Sequence, residues 1–301
     1  MKRLTLLILF AAGRAFGQAW LPEAGTTSVS LTFQTTHFDA HTDRTGRMSH
    51  TVDMRPKVLT LSVDQALTNR LALSISAPYV ETRFRGVRPH PSLVDDGQRH
   101  GALQDVSIDL RYGVVQRSLA VTPYLSMSWP TRNYPTFGHA SPGHGLQEQE
   151  GGLTIGQEIS ALPGTWIAGS YAYTRVQKID PGISTNRSAV NAEIGTLVTS
   201  RLSARVFGSD MRTHGGLTVP LSTFDTIMHF QHHDQLLRAN SRRAGAGLSF
   251  SLTPAIDLHA NFATVIRSAN AHAGRSFSIG TSWTFDARGL LAQRRSRAPS
   301  L

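Results

Sequence analysis

An alternation of apolar and polar residues recurs in about twelve segments beyond residue 25 and limits most strongly what this chain can fold into. In the first segment Val29, Leu31 and Phe33 alternate with serine, threonine and glutamine. Successive side chains of a β-strand point to opposite faces, so a period of two predicts strands with one apolar and one polar face. The later segments lie at 59–64, 71–76, 106–112, 121–129, 152–161, 165–176, 189–199, 202–210, 244–252, 256–265 and 276–285.

The connections between these segments alternate in length. Short connections such as Ala66–Arg70 and Gly113–Ser118 are followed by long ones that are rich in Gly, Pro, His and Asp. Transmembrane β-barrels have this layout, with short periplasmic turns and long outer loops. The long connections lie at 39–53, 84–101, 130–150, 177–188 and 211–240.

The polar strand face is mostly Ser, Thr, Gly and Asn with scattered charge, which suits a watery interior surrounded by lipid. A closed sheet is the only β-structure that leaves no unpaired edge in hydrocarbon. The pattern therefore predicts an all-β fold, an antiparallel up-and-down transmembrane β-barrel of about twelve strands. The alternative is a soluble β-sandwich or lipocalin-like barrel in the periplasm, and Pro123 within a strand counts slightly against a membrane position.

Three regions are expected along the chain. Residues 1–17 have a basic start at Lys2 and Arg3, an apolar stretch, and small residues at Ala15 and Gly17, which is the pattern of a secretory signal peptide. Residues 18–285 form the barrel, and 286–301 form an arginine-rich tail that we expect to be disordered. The absence of cysteine excludes disulfides, thiolate metal sites and a lipoprotein anchor. Together these features favour a bacterial outer-membrane protein exported by its signal peptide.

The net charge of +10 does not indicate a nucleic-acid partner. Its excess lies in the predicted signal peptide and tail, because residues 18–285 hold 23 basic and 19 acidic residues, a net charge of +4. No basic stripe with interleaved aromatic residues is present, so no nucleic-acid binding is expected. No motif for a cofactor or a catalytic nucleophile was found either. Gly245-Ala246-Gly247 precedes a strand and not a helix, which argues against a nucleotide loop.

Four stretches carry a resemblance to a known family, and they cover most of residues 25–285 in the right order. The stretches are Ala66–Leu71 with Ser76–Val80, Gly101–Val106 with Leu110–Tyr112, Pro130–Arg132 with Gly143 and Gly145, and Ile279–Phe285. With them the chain resembles the bacterial outer-membrane family named after the meta-pathway of phenol degradation, a relative of fatty-acid and aromatic-hydrocarbon channel barrels. The resemblance implies a barrel proposed to pass small, often hydrophobic or aromatic, solutes, and it implies no established substrate and no known catalytic residues.

The charged residues on the polar strand face are the candidate lining of the barrel interior. They form either a weak selectivity filter made of opposed charges or a set of ion pairs that brace the wall. Asp109 and Arg111 share a face two residues apart, so they are the first pair to test. The full set is Asp64, Asp109, Arg111, Glu158, Glu193, Arg205, Arg243, Asp257 and His259.

Two further groups of residues have less specific interpretations. His229, His232 and His233 are suitable transition-metal ligands by residue type, but an ordinary histidine-rich loop is the favoured interpretation and no metal is assigned. Aromatic residues near strand ends suit the girdles of a membrane barrel. These are Trp20, Tyr79, Tyr112, Trp129, Tyr173 and Trp283.

The favoured function is an outer-membrane channel or transporter for small solutes, without a cofactor and without catalysis. The expected partners are outer-membrane lipid, the machinery that assembles barrels, and a small-molecule solute. Two alternatives stay open: an outer-membrane enzyme acting on lipids, and a structural or anchoring barrel that transports nothing.

Overall fold

The computed structural model describes residues 19–86, 92, 94–218, 229 and 232–287. The predicted signal peptide and all but the first two residues of the predicted tail lie outside this part of the chain. The elements are β1 (Thr26–Thr42), β2 (Met48–Ser49), β3 (Lys57–Thr68), β4 (Leu71–Arg83), β5 (Arg99–Leu103), β6 (Val106–Tyr112), β7 (Val115–Gln116), β8 (Leu119–Trp129), β9 (Glu148–Glu158), β10 (Thr165–Val176), β11 (Thr185–Leu197), β12 (Leu202–Gly215), α1 (His233–Leu236), β13 (Asn240–Thr253), β14 (Ile256–Ala269) and β15 (His272–Asp286).

The sheet closes on itself. Twelve of the strands, β1, β3, β4, β6 and β8 to β15, each pair with the next in antiparallel register. β15 then pairs with β1, from Thr26 opposite Asp286 to His41 opposite His272. The predicted all-β barrel of about twelve strands is therefore confirmed, and closure removes the sheet edge that a membrane would not tolerate.

One wall strand is divided by a bulge. β5 and β6 both pair with β4, with Tyr79 opposite Leu103 and Ser76 opposite Ser107. Three residues separate Leu103 from Ser107, whereas two separate their partners, so one extra residue lies at Gln104–Asp105. Bulges of this kind bend a strand and redirect its side chains.

Pro123 lies where the ladder on one side of β8 is interrupted. The pairing with β6 ends at Arg111 opposite Tyr124, and the pairing with β7 begins at Val115 opposite Val121. The missing N–H of the proline is therefore accommodated at a break between two short strands, which is where strand prolines are tolerated.

The apolar face of the strands points outward and forms the outer surface of the barrel. Leu125 is 65% exposed and Trp283 is 53% exposed, although both lie in well-paired strands. A soluble protein rarely exposes so continuous an apolar surface, whereas lipid covers it without cost. The opposite, inward face carries the small and polar residues that alternate with this belt.

The two ends of the barrel differ in the length of their connections. At the short-turn end, the turns are brief, such as Asn69–Arg70 and Pro254–Ala255. At the other end, here called the long-loop end, most connections are long, and only Asn270–Ala271 between β14 and β15 is short. Barrels of this type have their short turns in the periplasm and their long loops outside the cell.

Within the described residues, no helix is long and apolar enough to cross a membrane.

Candidate functional site in the barrel interior

All nine predicted lining residues lie on the inward strand face, because each alternates with exposed apolar residues of its own strand. The face on which each residue lies follows from the two-residue period of the strand alone. The contacts of each residue cannot be read from that period, because contacts across the interior depend on strand register and side-chain direction. Whether these residues line a conduction path stays a prediction.

Arg111 and Asp64 form the first ion pair of the interior. Arg111 Nη2 donates to Asp64 Oδ1 at 2.7 Å and to Ser74 Oγ at 2.9 Å. Ser74 Oγ also donates a short hydrogen bond to Asp64 Oδ1. Asp109, which the sequence suggested as the partner of Arg111, has no hydrogen bond or ion pair through its side chain among the described residues. Asp109 and Arg111 lie on one strand, and their side chains point the same way. The long Arg111 side chain instead reaches Asp64, which lies two strands away.

The second ion pair joins β11 and β12. Arg205 Nη1 lies 2.9 Å from Glu193 Oε2, and Arg205 Nη2 donates to Asn261 Oδ1 at 2.9 Å. Trp166 Nε1 donates to the other oxygen of Glu193 at 3.0 Å. The guanidinium carbon of Arg205 lies 5.3 Å from the centre of the Phe207 ring. The arginine is therefore held along the wall by three kinds of contact.

Two more predicted residues have single hydrogen bonds to their neighbours. His259 Nε2 lies 3.1 Å from Thr32 Oγ1 on β1. Asp257 Oδ1 accepts a hydrogen bond of 2.6 Å from Ser251 Oγ on β13. Both side chains are therefore oriented by hydroxyl groups and not by opposite charge.

The inward face also contains charged residues that the sequence prediction missed. Glu148 and Arg187 form a third ion pair. Glu150 accepts hydrogen bonds from Tyr124 Oη at 3.0 Å and from Thr174 Oγ1 at 2.7 Å. Glu148 and Glu150 belong to β9, and the alternation of faces along this strand would have placed both on the inward face. The sequence prediction missed them because it assigned them to the preceding loop, 130–150.

The charge balance of the interior follows from these contacts. Three arginines, Arg111, Arg187 and Arg205, are each paired with an acid. Among the described residues, no arginine, lysine or histidine forms an ion pair with the remaining inward acids, and Arg243 has no acidic partner. The unpaired inward acids are Asp109, Glu150, Glu158 and Asp257. The interior therefore carries an excess of unpaired acid.

Large inward side chains lie across glycines on the neighbouring strand. A Cβ atom added to Gly195, for example, would lie 2.1 Å from Cζ2 of the Trp166 ring. Such close approach is possible only where the partner has no side chain. The large side chains are thereby laid along the wall instead of across the interior. The cross-strand pairs are Tyr124 with Gly152, Trp166 with Gly195, Phe207 with Gly245, and His259 with Gly280.

The N-terminal segment enters the barrel at the short-turn end. Ala19 is fully buried, and its carbonyl accepts hydrogen bonds from Thr122 Oγ1 at 2.6 Å and Gln116 Nε2 at 3.1 Å. The Trp20 ring lies against Gly156, where a Cβ would come within 2.4 Å of it. The interpretation of Trp20 as a girdle residue is therefore wrong, because the chain turns inward before β1 begins.

A cluster of buried apolar side chains lies at the long-loop end. Residues from three connections meet there and are packed against Phe38 of β1. This cluster lies beyond the apolar belt, so it is built by the loops and not by the barrel wall. Its buried members are Val52, Met54, Phe84, Val94 and Ala140.

Asp95 is a fully buried acid inside this loop cluster. Its carboxylate accepts hydrogen bonds from the backbone N–H groups of His139 at 3.1 Å and Ala140 at 2.8 Å, and lies 3.0 Å from His139 Nδ1. Burial favours the neutral acid, but these hydrogen bonds outweigh it and lower the pKa of Asp95. The His139 ring also stacks on Phe84 at 4.3 Å, which links the two loops.

The bulge residues of the wall hold the loop that follows β8. Gln104 Nε2 donates to the carbonyl of Pro142 at 2.7 Å, and Tyr134 Oη donates to Asp105 Oδ1 at 2.5 Å. Burial and the nearby Asp105 carboxylate raise the pKa of Tyr134, so the phenol stays protonated and can donate. The bulge therefore redirects two polar side chains into the loop.

The histidines at 229, 232 and 233 each contact a different side chain. Among the described residues, no group of three or more His, Asp or Glu side chains is arranged to hold a metal ion. The contacts are His229 with Asp180 at 3.0 Å, His232 with Gln235 at 2.7 Å, and His233 with Asp234 at 3.3 Å.

A closed antiparallel sheet with an apolar outside and a polar inside defines a β-barrel of the transmembrane type. No family model matches the chain, and no curated protein matches it. The COG4313 outer membrane channel from Pseudomonas putida F1 has the same fold, with a TM-score of 0.67, 13% identity, and coverage of 90% of this chain and 99% of that chain. The translocator domain of the autotransporter NalP from Neisseria meningitidis has a TM-score of 0.50, 8% identity, and coverage of 94% and 95%.

A KdgM porin in complex with disordered oligogalacturonate is also similar, with a TM-score of 0.47, 9% identity, and coverage of 85% of this chain and 99% of that chain. At these identities the first two structures establish the fold alone. The resemblance to the meta-pathway family is therefore confirmed only as far as this barrel fold.

Proposed function

We propose that this protein is an outer-membrane channel that passes small solutes through its interior. The observation that carries the proposal is that the large inward side chains lie along the wall, on glycines of the neighbouring strands. A barrel that served only as an anchor has no need to keep bulky side chains out of its centre. The proposal assigns no catalytic residue and no cofactor.

The charge balance supports a preference among solutes. Three inward arginines are neutralised by acids, and the unpaired inward acids outnumber the unpaired Arg243. Rings of acidic side chains favour cations in narrow pores. Aromatic rings at Tyr124 and Phe207 offer contact to a flat apolar solute. We therefore assign small aromatic solutes, neutral or cationic, as the favoured class.

Each end of the barrel holds a packed segment. The segment around Trp20 lies at the short-turn end, and the loop cluster around Asp95 lies at the long-loop end. In the proposed channel these two segments act as gates, and solutes pass when they move aside.

The test is solute uptake into liposomes that contain refolded residues 18–301. Three probes that cross lipid poorly separate the possibilities: the neutral sugar arabinose, the anion benzenesulfonate and the cation benzyltrimethylammonium. We expect uptake above protein-free liposomes, with the aromatic cation faster than the aromatic anion. The channel proposal is wrong if no probe enters although unboiled samples migrate as folded barrels. Equal rates for cation and anion would contradict the selectivity alone.

A further inference from the structure

Three arginines form a cluster on the outer surface of the barrel, just beyond the apolar belt at the long-loop end. Arg212 of β12, Arg242 of β13 and Arg267 of β14 all lie on the outward strand face and are exposed. We call them the arginine patch. Asp210 is the acid among them, with Arg242 Nη2 at 2.5 Å and Arg212 Nε at 3.1 Å. The patch therefore keeps a net charge of +2.

Two members of the patch face each other directly. Arg242 lies opposite Arg267 in the β13–β14 register, and Asp210 lies on the far side of Arg242. Like charges directly opposite on one face of a sheet destabilise it. Among the described residues, no acid forms an ion pair with Arg267. An anion placed between the two guanidinium groups would relieve the repulsion and accept hydrogen bonds from both.

An apolar groove begins immediately below the arginine patch. It lies on the lipid-facing surface and has a volume of about 700 Å³. Its floor is a row of small residues in direct register across four strands, and Ile167, Ile194 and Val206 form its edge. The floor residues are Gly169, Ala192, Gly208 and Ala244.

The patch and the groove are close enough to bind one molecule. Gly208 precedes Asp210 by two residues on β12, and Ala244 follows Arg242 by two residues on β13, a distance of about 7 Å along a strand. A second groove of about 770 Å³ shares Ile194 and Val206 with the first and continues down the belt over Ala204 and Ala246. An acyl chain lying in these grooves would place its headgroup at the arginines.

We propose that this surface binds a phosphorylated, multiply acylated glycolipid of the outer leaflet, lipid A, with a phosphate on the arginine patch and an acyl chain in the groove. The long-loop end faces the outer leaflet in barrels of this type. Clustered basic residues bordering a membrane favour anionic lipid headgroups. This site is on the outside of the wall, so the inference does not depend on the proposed channel.

The experiment is native mass spectrometry of the refolded full barrel in detergent, with lipid added at matched concentrations. The probes are diphosphoryl lipid A, phosphatidylglycerol, phosphatidylcholine and inorganic phosphate. We expect lipid A to bind at least tenfold more tightly than phosphatidylglycerol, and phosphatidylcholine and phosphate to bind weakly. Equal binding of lipid A and phosphatidylglycerol overturns the assignment to lipid A.

Variants locate the site. Arg242→Ala combined with Arg267→Ala should weaken lipid A binding at least tenfold, because each charge-assisted contact contributes substantially to anion affinity. Arg99→Ala is the matched control, since Arg99 is an exposed arginine at the same end whose partner is Glu81. Ala244→Phe keeps the charge and fills the groove, so it should weaken lipid A binding and leave phosphate binding unchanged. Unchanged lipid A binding in the double variant overturns the proposal.

A salt titration of the unmodified barrel makes the result independent of variant folding. Exposed charge interactions weaken as ionic strength rises, because the screening length falls to about 3 Å at 1 M salt. Lipid A binding should therefore fall steeply with salt, and binding that does not change with salt contradicts a role for the arginine patch.

Discussion

Arg111 Nη2 lies 2.7 Å from Asp64 Oδ1 across two strands, while Asp109, two residues away on the same strand, forms no ion pair among the described residues. The Arg111 side chain is only 11% exposed and the Asp64 side chain is 34% exposed, so the pair is partly buried. Removing one member of such a pair leaves an uncompensated charge, which costs more than the pair itself contributes.

Arg111→Met should therefore destabilise the barrel. We expect the free energy of unfolding to fall by about 1.5 kcal/mol, less than for a fully buried pair because water reaches the Asp64 carboxylate that is left behind. The measurement is urea unfolding in lipid bilayers, followed by tryptophan fluorescence. Asp109→Asn is the matched control and should change stability by about 0.5 kcal/mol or less. The double variant Asp64→Asn with Arg111→Met should recover part of the loss, and a loss equal to the sum of both single changes would contradict direct pairing.

Arg205→Ala should make the interior wider and more acidic. The substitution removes a guanidinium from the wall and leaves Glu193 with Trp166 as its remaining hydrogen-bond donor among the contacts described above. We expect larger single-channel conductance and a reversal potential shifted toward cation selectivity in a salt gradient. Arg201→Ala in a short turn removes an exposed arginine from outside the interior and should change neither quantity.

Asp95→Asn should loosen the loop cluster. The amide cannot supply the two anionic oxygens that accept hydrogen bonds from the His139 and Ala140 backbone and from the His139 ring. A lost charge-assisted hydrogen bond in a buried site costs about 2 kcal/mol. We expect faster proteolytic cleavage in residues 84–98 and 130–147 and more frequent channel opening. Asp43→Asn, in another outer loop, is the control and should leave cleavage in both of those loops unchanged.

Acid should open the same cluster. Because the pKa of Asp95 is lowered in the folded state, its contribution to stability is present above the ordinary carboxyl pKa of about 3.9 and is lost as the pH falls through the lower native pKa. The protection factors of the loop amides, which correct for the intrinsic pH dependence of hydrogen exchange, should therefore fall below about pH 4, with the barrel strands still protected. Equal protection factors of the His139 and Ala140 amides at neutral pH and at the lower pH would show that the carboxylate does not hold the cluster.

Trp20→Ala should open the short-turn end. The substitution removes the ring that lies against Gly156, and Gly156→Leu should displace the same segment by filling its place. Both variants should increase conductance to a similar extent, measured in planar bilayers. Trp20→Phe keeps a ring on the glycine and should behave like the unmodified protein. A conductance unchanged in both opening variants would mean that this segment does not narrow the passage.

The fold was predictable because it depends on patterns that are local in sequence. Period-two alternation marks the strands, and the contrast between short and long connections orients them. The inward position of all nine predicted lining residues follows from the same alternation, since successive side chains of a strand point to opposite faces of the sheet. The resemblance to outer-membrane barrels, carried by strand ends such as Ile279–Phe285, agrees with the fold of the similar structures.

The partners of those residues were decided by the tertiary structure. Arg111 pairs with Asp64 because antiparallel register places Ser74 opposite both Asp64 and Asp109, and a long side chain then reaches across. Trp20 lies inside the barrel because the short-turn end leaves room over Gly156, which no local pattern indicates. The bulge at Gln104–Asp105 and the cluster around Asp95 likewise depend on contacts between segments far apart in sequence. Alternation therefore determines the face of each side chain, and only closure of the sheet determines its neighbour.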